Sequence, residues 1–161
     1  MYTYSRTETF IHHFLITHYI NNPYQLSIES VADSMNLSVE YWEDTSESVC
    51  WRGKYKVFLK KRESKEQQWQ EFAHELCHVL WHAGRQEHLA TPFVELQEWQ
   101  ADNFAHHFCI PTFMLLSMDL PRNKKEAVGV IGEEFRVEPE FAEQRLNIWL
   151  QQRKGGYGIK K

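Results

Sequence analysis

His74-Glu-Leu-Cys-His78 sits inside the run Ser64 to His82, whose apolar positions Trp69, Phe72, Ala73, Leu76, Val79 and Leu80 recur at helical spacing. In a helix, residues i and i+4 lie about 40° apart around the axis, so His74 and His78 project together from one face. Two imidazoles one turn apart can both reach one metal ion at about 2.0–2.1 Å. Glu75 stands about 100° round from His74, beside such a metal rather than on it, where a carboxylate can take a proton from water. The plain alternative is two surface histidines and a solvated charge.

Working outward, Gly84 would cap this helix, and Pro92 lies in the loop before a second helix over 93–109. That helix has Phe93, Leu96, Ala101, Phe104, Ala105 and Phe108 as its apolar set and ends at Ile110-Pro111. On it lies Glu98-Trp-Gln-Ala-Asp102. A catalytic zinc site takes three protein ligands and leaves one position open. Glu98 offers the third ligand. Asp102, one turn on, can accept the free ring N–H of a ligating histidine and fix its tautomer. Taken alone, the two acids would be an ordinary polar helix face.

Upstream, Phe10, Ile11, Phe14, Leu15 and Tyr19 predict a helix over 5–20, stopped by Asn21-Asn-Pro23, and Ser27 can cap a short second helix. Ser48–Arg52 and Tyr55–Leu59 read as a hairpin joined at Gly53-Lys54, with lysines on the wet face of the second strand. That strand is either an open edge able to pair with a substrate backbone or an edge blunted by lysines. Short helices are predicted at 112–119, 123–135 and 139–153, and the glycines and lysines of the terminal run argue for fraying. The chain therefore reads as α+β, mainly helical with a small antiparallel sheet, a single domain over 1–154 with a flexible tail at 155–161.

Composition narrows the function. The chain has 161 residues, 42% hydrophobic and 25% charged, which excludes a wholly disordered protein. A net charge of −4 is the wrong sign for a protein whose main partner is a nucleic-acid backbone. Cys50, Cys77 and Cys109 are odd in number and scattered, as expected of reduced thiols in a cytoplasm; Cys77 and Cys109 read as small apolar packing groups. No run reaches the roughly 18 apolar residues of a membrane span. The first residues lack the basic start and apolar stretch of a signal peptide.

Phe72-Ala-His-Glu-Leu-Cys-His78, followed by Glu98-Trp-Gln-Ala-Asp-Asn-Phe-Ala105 and the closing Ile110-Pro111, resembles the ImmA/IrrE family of metallopeptidases over roughly residues 25–115. The resemblance implies a minimal zincin-like arrangement in which His74, His78 and Glu98 bind zinc and Glu75 is the catalytic base. It also implies a protein substrate, a helix-turn-helix repressor of a phage, mobile element or stress regulon. Two departures stand out: Cys77 occupies a position where glycine is usual, and no helix-turn-helix or GAF-like sensor module accompanies the peptidase motifs.

Other readings compete. His82 extends the series 74, 78, 82 at the end of its helix, as a surface histidine or as support for the ligands. His106, one further turn beyond Asp102, reads either as an oxyanion stabiliser or as a core or surface histidine. Residues 123–153 have a helix-turn-helix cadence, which would suit a non-proteolytic regulator acting by protein binding. Glu138, Glu140 and Glu143 weigh against DNA contact there.

Overall fold

A computed structural model describes residues 2–82 and 88–155. The α+β reading holds: seven α-helices and a three-stranded sheet among the described residues. The helices are α1 (Arg6–Thr17), α2 (Ile28–Met35), α3 (Lys65–Trp81), α4 (Thr91–Cys109), α5 (Thr112–Leu116), α6 (Lys124–Phe135) and α7 (Pro139–Gly155). The strands are β1 (Ser38–Trp42), β2 (Glu47–Trp51) and β3 (Lys54–Lys60). No helix among the described residues is long and apolar enough to cross a membrane. Gly84 and residues 156–161 of the tail lie outside the described residues.

Two compact units form. One is Ser27–Ala105; the other joins residues 2–26 to 106–155. In the first, α2 begins at Ser27, whose side chain accepts from the Ser30 N–H, and ends at Asn36 in the left-handed conformation. The sheet then departs from expectation. It has three strands in the order β1-β3-β2, with β1 parallel to β3 and only β2–β3 antiparallel. The β2–β3 hairpin is as predicted, but its turn falls one residue earlier. Arg52 and Gly53 both have positive φ (52° and 75°), the two-residue turn whose twist suits a hairpin. β3 is thus the central strand, not an edge. Its lysines line a solvated face, and Lys56 pairs with Glu40 of β1 at 2.7 Å.

Val57 and Leu59, on the opposite face of β3, are buried, as are Trp69, Phe72, Ala73 and Leu76 of α3. Ser64 starts α3 with a capping box: its hydroxyl accepts from the Gln67 N–H and its own N–H donates to the Gln67 side chain. α4 begins two residues before the predicted start, with Pro92 accommodated in its first turn, where a missing N–H costs nothing. Its inner half is buried at Ala101, Phe104 and Ala105, and Trp81 meets Phe104 edge-to-face at 5.0 Å. The expected apolar positions Phe93 and Leu96 are instead exposed, as is Trp99.

In the second unit, Ile11, Leu15, Phe108, Leu115, Ile131, Phe135 and Leu146 form the core. Its centre holds a charged group. Arg145 is fully buried on α7, its Nε donating to the Ile110 carbonyl at 3.1 Å and its Nη2 to the Thr112 hydroxyl at 2.7 Å. Glu8 lies 3.8 Å from that guanidinium and accepts from Thr112, Tyr2 and the Ser5 N–H. Arg145, on the second helix of the helix-turn-helix cadence, thus points into the core of this unit.

Candidate active site

The first unit brings every predicted site residue together. α3 carries His74, Glu75 and His78; α4 presents Glu98 and Asp102 to them. His74 Nε2 lies 3.2 Å from His78 Nε2 and 3.1 Å from Glu98 Oε2, and His78 Nε2 is 3.3 Å from Glu98 Oε1. Ligands held at about 2.0–2.1 Å in tetrahedral directions around one zinc would be about 3.3 Å apart. The two ring nitrogens are at that spacing, each faces a different oxygen of the one Glu98 carboxylate, and one ligand atom from each of the three residues lies within 4.8 Å of the others, close enough to hold a metal ion.

The outward nitrogens set the chemistry of the inward ones. His74 Nδ1 is 2.8 Å from Asp102 Oδ1, so this nitrogen donates to the carboxylate and a neutral His74 keeps its lone pair on Nε2. Burial, then repulsion from the neighbouring His74 ring whenever that ring is protonated, pushes His78 down to about 4, so His78 is a neutral imidazole at neutral pH. A carboxylate only accepts. The donor set suits a cation, because lone pairs face one another around a common point. Glu98 and Asp102 remain partly open to solvent, their side chains 42% and 69% exposed, which leaves an approach to that point.

Glu75 is buried beside the cluster, and burial raises its pKa to about 7 against the opposing pull of His74 and of hydrogen bonds from Ser48. Ser48 lies on β2, which among the described residues pairs only with β3 and so forms one edge of the sheet. This serine went unread in the sequence, where nothing in a short strand signals a partner on a helix far along the chain. Cys77, the departure from the family pattern, is fully buried with its thiol pushed up to about 12 by burial, and it packs as expected. Cys109 is likewise buried, and Cys50 is exposed; all three are free thiols.

His82 does contact the cluster: its Nδ1 is 2.8 Å from His78 Nδ1 and its Nε2 is 3.0 Å from Gln100 Oε1. His106 belongs to the other unit, where its ring stacks on Phe141 at 4.2 Å and its Nε2 lies 2.9 Å from Gln144 Oε1.

Comparison with known proteins identifies the family. The peptidase M78 family model, described as the IrrE N-terminal-like domain, matches residues 25–147. The chain is similar to the phage-like element PBSX protein XkdA of Bacillus subtilis (strain 168), 41% identical over 88% of this chain and 71% of that protein. It is also similar to the uncharacterized protein YqaB of the same strain, 33% identical over 93% of this chain and 87% of that one.

Proposed function

Because the chain belongs to the ImmA/IrrE family of metallopeptidases, we propose that it is a zinc-dependent endopeptidase that cleaves a helix-turn-helix transcriptional repressor of a phage, mobile element or stress regulon. The observation that carries the catalytic part is the convergence of His74, His78 and Glu98 with edges of 3.1–3.3 Å. These three residues would hold the metal, and Asp102 would keep His74 in the ligating tautomer. Zinc bound there supplies Lewis-acid polarisation of the scissile carbonyl and lowers the pKa of water.

The remaining work falls to the chain. Glu75 accepts the proton of the attacking water on its carboxylate and returns it to the departing amide nitrogen. Ser48 holds that carboxylate by donating from both its side chain and its backbone, fixing it beside the ligands rather than among them. β2 lies at the edge of the described sheet and carries Ser48 against Glu75, so an extended stretch of substrate can add there as a further strand. The edge role expected of β3 thus passes to β2.

The repressor assignment rests on the family resemblance and on a relative that belongs to a phage-like element. Such a substrate places the reaction in the cytoplasm and requires no direct contact with nucleic acid.

Glu75→Gln tests the assignment. The variant should retain about one zinc per chain and lose cleavage of a co-encoded repressor by at least about 10²-fold, the lower end of general-base contributions. Retained proteolysis would remove Glu75 from the mechanism.

A further inference from the structure

Gln100 and His82 form a hydrogen-bonded chain to His78, and we infer that they are positioning residues that fix the tautomer in which His78 meets the metal. The inference rests on the metallopeptidase reading above. Its starting point is an atom that can only accept. Gln100 Oε1 faces His82 Nε2 at 3.0 Å, so that nitrogen carries the hydrogen. A neutral imidazole carries one N–H, which leaves His82 Nδ1 as an acceptor. Nδ1 of His82 and Nδ1 of His78 are 2.8 Å apart, and one hydrogen must lie between them. It therefore belongs to His78. The second nitrogen of His78, Nε2, is left with a lone pair, and it is the atom that faces His74 Nε2 and Glu98.

Reversing the Gln100 amide reverses every link. Its NH₂ would donate to His82 Nε2, His82 would donate to His78, and His78 Nε2 would carry a hydrogen aimed at Glu98, closing the site to a cation. The orientation of one amide on α4 thus selects between a ligand set and an internally bonded cluster. His82 does for His78 what Asp102 does for His74: it takes up the hydrogen of the outer ring nitrogen. Its ring is held in place from its own backbone, since the His82 N–H donates to the His78 carbonyl at 3.1 Å.

The test compares zinc affinity, by competition with a chromophoric chelator, and the visible spectrum of the cobalt-substituted full chain. His82→Phe and Gln100→Leu should weaken metal binding about 10- to 100-fold, the usual effect of removing a ligand's hydrogen-bond partner. His82→Asn, whose amide oxygen can accept from His78, should recover most of the loss. Gln100→Glu cannot reverse and should bind at least as tightly as the parent. Wild-type affinity in both His82→Phe and Gln100→Leu would overturn the inference, as would equal weakening in His82→Phe and His82→Asn. If the parent chain binds no metal and His74→Ala changes nothing, the metallopeptidase reading itself fails. Thermal unfolding in chelator should be the same for parent and variants. Should His82→Phe not fold, the Gln100 pair decides alone.

Discussion

Each unit gathers a cluster of polar groups, and the two gatherings have opposite inventories. Around Glu8, donors converge on one carboxylate: the Tyr2 and Thr112 hydroxyls, the Ser5 N–H and, at 3.8 Å, the Arg145 guanidinium. Around His74 and His78, acceptors converge on one another, with Asp102 and His82 taking up the hydrogens on the outer side. The Glu8 cluster brings its own positive charge, the Arg145 guanidinium, from within the chain. The His74 cluster turns ring nitrogens and carboxylates toward one another with no lysine or arginine among them, so a stabilising metal cation comes from solution. Buried charge that is compensated within the chain supports the fold, whereas acceptors left facing each other near solvent mark a binding site.

Breaking the first cluster should have the largest effect. Arg145→Met leaves Glu8 buried without its cation and is expected to cost about 3–5 kcal/mol in denaturant unfolding. Adding Glu8→Gln to the same chain should restore more than half of that loss, because no charge is then stranded. If the double variant is no better than the single one, Arg145 acts through its bonds to Ile110 and Thr112 and not as a counter-ion.

Next in size is the response to metal. Zinc in hundredfold excess over its dissociation constant should stabilise the folded chain by about 2.7 kcal/mol. Glu98→Ala should abolish that increment with little change in the metal-free protein, since its side chain is 42% exposed. The Arg145→Met, Glu8→Gln chain should keep the increment in full. A zinc effect lost equally in both would dissolve the distinction between the two clusters.

The site was more legible in the sequence than the sheet was. His74, Glu75, His78, Glu98 and Asp102 are readable because helical periodicity is local: i and i+4 share a face whatever the rest of the chain does. β1 escaped because its parallel pairing with β3, Ser38 against Lys56, leaves no turn to announce it, and its residues are half-exposed. Lysines at 54, 56 and 60 suggested an edge strand, yet they mark only one solvated face of a strand paired on both sides. Ser48 and Gln100 were invisible for a different reason. A serine and a glutamine gain their roles only when tertiary contacts aim them, Ser48 at Glu75 and Gln100 at His82. The exposed Phe93 and Leu96 show the converse, a helical apolar pattern without burial to match it.

The smallest expected effect is that of acid on the Glu8 cluster. Burial alone would raise the carboxyl of Glu8, but hydrogen bonds from Thr112, Tyr2 and Ser5 outweigh it and hold the group below the usual carboxylate range. Arg145 and, at 4.0 Å, His107 also face it. A carboxyl depressed on folding binds fewer protons folded than unfolded, so its stabilisation is present above its unfolded pKa of about 4.3 and is lost as pH falls through the folded value. Glu8→Gln should therefore flatten the acid limb of the stability curve, measured by urea unfolding at stepped pH with chelator present to silence the metal site. An unchanged slope would mean that Glu8 titrates alike in the folded and unfolded chain, and that its donors orient the carboxylate without favouring its charge.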